Sequence, residues 1–124
     1  MSALRLEKLG CDFTVCKLPE NAAPGRKCSF FFMAKTDEEL SLVCPTEEIP
    51  PVTIAREDGW KAFRFQGQLN FSLTGILAEI SGILAENEIP IFAVSTYNTD
   101  YILVKQENFE KAAAVLSEKG YSIL

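Results

Sequence analysis

Between residues 60 and 124 the spacing of apolar side chains changes period several times, and few folds accommodate that succession. Trp60–Gln66 alternates around Phe63 and Phe65, the period of a half-buried strand. From Leu73 the apolar positions are Leu73, Ile76, Leu77, Ile80, Ile83 and Leu84, a spacing of three and four that draws one stripe along an amphipathic helix. Ser72 or Asn70 is the expected cap of that helix, and Pro90 forbids its continuation. Ile89–Tyr97 is apolar almost throughout, which predicts a central strand buried on both faces. Asn98-Thr99 reads as a turn and Asp100–Val104 as the strand that returns from it. A second helix is expected from about Asn108 to Lys119, with Phe109, Ala112, Ala113 and Leu116 as its buried stripe, Asn108 at its start and Gly120 as its left-handed stop. Tyr121–Leu124 is the last strand. The order β-α-β-β-α-β is the split βαβ, or ferredoxin-like, arrangement of an α+β protein.

Residues 11–57 read as a worn copy of the same unit. Asp12–Leu18, Ser29–Ala34 and Leu40–Cys44 are expected strands, while Pro19–Lys27, with two prolines and a glycine, is too short and broken for a full helix. Ala34–Thr36 with Leu42-Val43 matches Val94–Thr96 with Leu103-Val104 once a one-residue gap is allowed. Pro45–Asp58 reads as an extended connector or edge element. The expected organisation is therefore a degenerate unit over 1–57 and a full unit over 58–124.

Composition argues against several functions. The net charge of −5 lacks the Lys and Arg surplus that nucleic-acid or anionic-membrane binding requires. No apolar run approaches the ~20 residues of a membrane span. Residues 1–25 lack the apolar stretch of a secretory signal, so the expected location is the cytoplasm. The chain has no His, which removes the commonest general base and transition-metal ligand. Its four cysteines (Cys11, Cys16, Cys28 and Cys44) show no C-x-x-C spacing and read as reduced, mostly buried thiols. No catalytic residue, metal or cofactor is expected, and the chain reads as no enzyme.

The residues themselves suggest where a small molecule would bind. A helix starting near Ser72–Gly75 presents backbone N–H groups and a positive dipole end, which suits a carboxylate. Gly75 lacks a Cβ, so a ligand can approach closely. Asp100 offers a carboxylate to an ammonium group, and carbonyls near Thr96 and Tyr97 accept its other protons. An α-amino acid carries both charges on one carbon, so one short cleft satisfies both. The competing readings of these residues are local: Asp100 bonded to its own turn, Thr96 as a β-former, Gly75 easing helix packing.

The stretch Leu69–Ile80 and the run Ser-Thr-Tyr-x-x-Asp-Tyr-Ile-Leu-Val (Ser95–Val104) resemble the ACT domain, the small-molecule sensing module of amino-acid metabolism. The second run is similar to the tandem-ACT group that includes lysine-sensitive aspartokinase regulatory regions and the animal cytosolic arginine sensors. In length and layout the chain looks like small stand-alone bacterial proteins of two ACT units. The resemblance spans 58–124 well and 11–57 loosely. It implies that Thr96, Tyr97 and Asp100 hold the amino end of a ligand and that Asn70 and Leu73 lie on the loop side; with Ser72 and Gly75 at the helix start, the expected site lies between ACT units. Where the arginine sensors place a loop acid against the guanidinium this chain has Leu73, so a neutral or apolar ligand side chain is expected. The resemblance also implies a regulatory role and a homodimer. Two other classes stay open at this point: an assembly module without a ligand, and a single-stranded RNA binder using Phe63, Phe65, Tyr97 and Tyr101, whose basic signature is missing.

Overall fold

In the computed structural model the strands of each hairpin pair antiparallel, while the strands nearest the chain's two ends pair parallel. The structure describes residues 5–22, 30–66 and 75–124. In chain order the elements are β1 (Arg5–Lys8), β2 (Phe13–Leu18), β3 (Phe32–Lys35), β4 (Leu40–Pro45), β5 (Ala55–Gln66), α1 (Ile76–Glu86), β6 (Phe92–Ser95), β7 (Asp100–Lys105), α2 (Phe109–Glu118) and β8 (Ser122–Ile123). They form two compact units, one over Cys11–Trp60 and the other from the residues up to Gly10 plus Lys61–Leu124. Strand β5 begins in the first and ends in the second.

In the second unit the sheet order is β6-β7-β5-β1-β8. Both helices pack on one face, because the alternation of β5 turns Phe63 and Phe65 to the same side as Leu6, Ile102 and Val104. Helix α1 supplies Ile80, Ile83 and Leu84 to this core, and α2 supplies Phe109, Ala112, Ala113 and Leu116, the stripes that their periodicity predicts. Phe63 and Phe109 meet with ring centroids 4.6 Å apart. Helix α2 stops where Gly120 takes φ 100°, a left-handed value that glycine adopts without a Cβ penalty.

Several expectations need correction. The N-cap of α1 is Gly75, at φ 85°, with no side-chain cap bond, so the helix starts after the expected caps Asn70 and Ser72. Asn108 stands at the N-cap of α2 but makes no side-chain cap bond; a short 3-10 turn, Gln106–Asn108, leads into the helix instead. The apolar run from Ile89 is not a central strand. Only Phe92–Ser95 is extended, among the described residues it pairs with β7 alone, and its residues alternate between half-buried and exposed. An apolar run reports hydrophobicity but not the number of neighbouring strands. Arg5–Lys8, where the sequence reading placed no strand, forms β1 between β5 and β8, antiparallel to β5 and parallel to β8, with Leu6 opposite both Phe65 and Ile123.

The first unit has sheet order β3-β4-β2 followed by the opening residues of β5, so Ala55–Trp60 forms its edge element. Cys16, Leu18, Leu40, Leu42 and Cys44 form its core, with Ala22 and Ile49 packed against them. No α-helix occurs among its described residues. Phe30 sits against Phe13 and Phe32, with centroids 5.5 Å apart in each pair, while Phe31 is partly exposed. Where β5 passes β2 the register slips between Phe13 and Val15, and Gly59 takes φ 86° in the bulge. The fully buried Thr14 hydroxyl is 2.7 Å from Asp58 and 2.9 Å from Thr46 at this point.

The hairpins of the two units correspond at one constant offset. Phe32 pairs with Val43 as Phe92 pairs with Leu103, and Lys35 pairs with Leu40 as Ser95 pairs with Asp100. A 3-10 turn follows each hairpin, Thr46–Glu48 in one and Gln106–Asn108 in the other. Leu42 therefore matches Ile102 and no gap is required, contrary to the sequence comparison. Neighbouring aliphatic residues are chemically interchangeable, so similarity slides by one where hydrogen-bond register does not.

Candidate functional site

The candidate site is built around the turn between β6 and β7. The Thr96 N–H donates to the Thr99 carbonyl at 2.8 Å, and the Thr96 hydroxyl donates to the same oxygen at 2.9 Å. The Thr99 N–H returns a bond to the Thr96 hydroxyl at 3.3 Å. Thr96 thus closes its own turn with its side chain, as short polar residues do at such positions.

Thr99 ties this turn to the rest of the unit. Its hydroxyl donates to the carbonyl of Phe65 at 2.8 Å. Phe65 lies next to the last residue of β5, the strand that leads into 67–74. The hairpin and the exit of β5 are therefore held at the same end of the sheet. Asp100 opens β7 opposite Ser95 and is half-buried, whereas Tyr97, at the tip, is 87% exposed. Gly75 begins α1 and its carbonyl accepts the Glu79 N–H at 2.8 Å. The first N–H groups of a helix have no acceptor within it, so this end of α1 remains suited to an anion. Asn70, Ser72 and Leu73 lie outside the described residues. Thr96, Tyr97 and Asp100 are brought together on one hairpin.

A polar cluster that the sequence reading did not single out lies on the sheet face away from the helices. Arg64 Nη2 and Nε bond Glu7 Oε1 at 2.8 and 3.2 Å, and the Gln66 amide also donates to Glu7. The Arg64 hydrogen bond holds the Glu7 carboxyl below its ordinary range. Arg64 is in turn pushed up, first by Glu7 and next by a hydrogen bond with Tyr101, the residue after Asp100. Arg64 was detectable from alternation, since it stands between core residues Phe63 and Phe65 and must point the other way. Glu7 was not, because its place depends on the pairing of β1 with β5. Among the described residues no group of His, Cys, Asp and Glu is arranged to hold a metal ion, and no helix is long and apolar enough to cross a membrane.

Comparisons with known proteins agree with this architecture. The ACT domain family profile matches residues 55–118. An Agobacterium tumefaciens protein of known X-ray structure superposes with a TM-score of 0.87 and 33% identity, covering 100% of this chain and 94% of that one. The cytosolic arginine sensor for mTORC1 subunit 1 of Bos taurus is 30% identical over 112 residues, which span 82% of this chain and 34% of that protein. The chain thus spans about a third of the length of that curated relative. The aspartate kinase of Clostridium acetobutylicum shares the fold, with a TM-score of 0.67 at 16% identity, covering 91% of this chain and 33% of the enzyme. A family match over half of the sequence, on a ferredoxin-like unit with both helices on one sheet face, settles the classification: this chain belongs to the ACT domain family.

Proposed function

We propose that this protein is an amino-acid-binding regulatory protein and not an enzyme, with its ligand held by the Thr96–Asp100 hairpin and residues 70–75, which precede α1. The observation that carries this reading is the Thr99–Phe65 bond, which keeps the hairpin beside the exit of β5. Asp100 takes the ligand ammonium with the carbonyls of Thr96 and Tyr97, and the backbone of 70–75 takes the carboxylate. Leu73 favours a neutral or apolar side chain on the ligand. The similarity to a protein named as a cytosolic arginine sensor supports sensing as the general role. The protein acts as a homodimer in the cytoplasm, and the ligand biases its assembly by binding one arrangement better than another.

A thermal-shift screen against the twenty amino acids tests this. A ligand at 100 times its dissociation constant adds about 2.7 kcal/mol to stability. The Asp100→Ala variant is expected to fold normally and lose the response. A full response in that variant removes Asp100 from the site, and silence across the screen defeats the amino-acid reading.

A further inference from the structure

Asp100, to which the ligand ammonium is assigned above, stands between two residues that are both tied to β5. On one side Thr99 donates its hydroxyl to the Phe65 carbonyl at 2.8 Å. On the other, Tyr101 shares a hydrogen bond with the side chain of Arg64, the residue before Phe65. Strands β5 and β7 are paired in the sheet, so both ties cross one inter-strand gap. Two adjacent residues of β5 therefore grip both chain neighbours of Asp100.

The Arg64 tie is anchored further back. Arg64 Nη2 and Nε bond Glu7 Oε1 on β1 at 2.8 and 3.2 Å, and the Gln66 amide donates to the same oxygen. A guanidinium held through two of its nitrogens has its plane fixed as well as its position, which leaves it little freedom where it meets Tyr101. Alternation puts these contacts behind the proposed site. Ile102 and Val104 belong to the helix-side core, so Asp100 opens that face of β7 and Tyr101 lies on the opposite face with Arg64. The guanidinium thus acts on the Asp100 carboxylate through the backbone of β7.

We infer that Arg64 is a positioning residue for Asp100, set by Glu7 and acting through Tyr101, so that β1 contributes to ligand affinity without touching the ligand. This rests on the binding role proposed above for Asp100. A carboxylate already aligned for an ammonium is not ordered at the expense of binding, and that ordering cost is what the chain of contacts removes.

Calorimetric titration of the full chain with each of the twenty amino acids, repeated in Tyr101→Phe and Glu7→Gln, tests the assignment. Against the amino acid that the wild type binds most tightly, each variant should bind about fivefold more weakly, the worth of one hydrogen bond. The double variant should lose little beyond either single change, because both break the same chain of contacts. Lys8→Ala, which removes the Lys8–Glu110 ion pair from the same strand, should leave affinity unchanged. That control separates positioning from a general loosening of β1. Full affinity in Tyr101→Phe overturns the inference and leaves the role of Asp100 intact, and so does a loss in Lys8→Ala as large as that in Glu7→Gln. No heat from the wild type with any of the twenty removes the binding role itself, and the inference with it.

Discussion

The hydroxyl of Thr99 reaches across to the main-chain carbonyl of Phe65, 34 residues earlier, at 2.8 Å. This bond joins the turn of one hairpin to the end of β5, the strand that precedes residues 67–74. Thr99→Val preserves shape and removes the donor. It should cost about 0.5–1.5 kcal/mol in urea unfolding and leave the Phe65 carbonyl to be satisfied by water. Amino-acid binding should weaken by more than the stability loss accounts for, because the hairpin is no longer fixed. Equal ligand affinity in Thr99→Val and wild type would detach this bond from the site.

Two glycines of the α1 region should respond to alanine in opposite directions. Gly75 holds φ 85°, where a Cβ is disfavoured by roughly 1–2 kcal/mol, and no atom of the described residues lies within 4 Å of the place a Cβ would take. The expected cost of Gly75→Ala is therefore conformational. Gly82 sits within α1, also with open space around its Cβ position, and is exposed. Gly82→Ala should raise stability by about 0.5–1 kcal/mol through helix propensity. Thermal melts of the two variants should bracket the wild type; shifts of the same sign would be inconsistent with these backbone conformations.

Acid should weaken the pairing of β1 with β5. Glu7 has its pKa lowered in the folded state, chiefly by the Arg64 hydrogen bond. A carboxyl with a depressed folded pKa adds stability that is complete above its unfolded value. That stability disappears as pH falls through the folded one. The difference in unfolding free energy between wild type and Glu7→Gln should thus be constant near neutrality. It should shrink from the ordinary glutamate range, about pH 4.3, downward. Chemical denaturation at a series of pH values checks this, and a difference that grew on acidification would contradict the ion pair.

Alkali acts through Tyr121. Burial, followed by a hydrogen bond with Glu79, pushes its phenol up to about 12. A group that resists ionisation when folded contributes stability fully present below its unfolded pKa, about 10. The contribution is lost as pH rises from there towards 12. The phenolate absorbance of wild type minus Tyr121→Phe should isolate one tyrosine titrating late. An ordinary midpoint in that difference would mean the phenol is not held as described.

In the second unit the secondary structure was legible because its signals are local. The stripe Ile80, Ile83, Leu84 and the stripe Phe109, Ala112, Ala113, Leu116 are set by residues within three or four positions of each other. The turn at Thr96–Asp100 was equally legible, and with it half of the candidate site. Arg5–Lys8 carries one buried apolar residue, Leu6, and too little alternation to announce a strand. The hairpins of the two units share a register although their sequences differ, since register depends on backbone bonds that many side chains permit.

What the chain carries within itself, then, is its ACT class, its helices and the polar turn. Tertiary structure alone decided that β6 pairs with β7, that β1 separates β5 from β8, and that Glu7 meets Arg64. The physical reason is range. Periodicity records which side of an element faces apolar surroundings, a property of adjacent residues. The choice of partner strand is settled by competition among distant segments for the same backbone donors and acceptors.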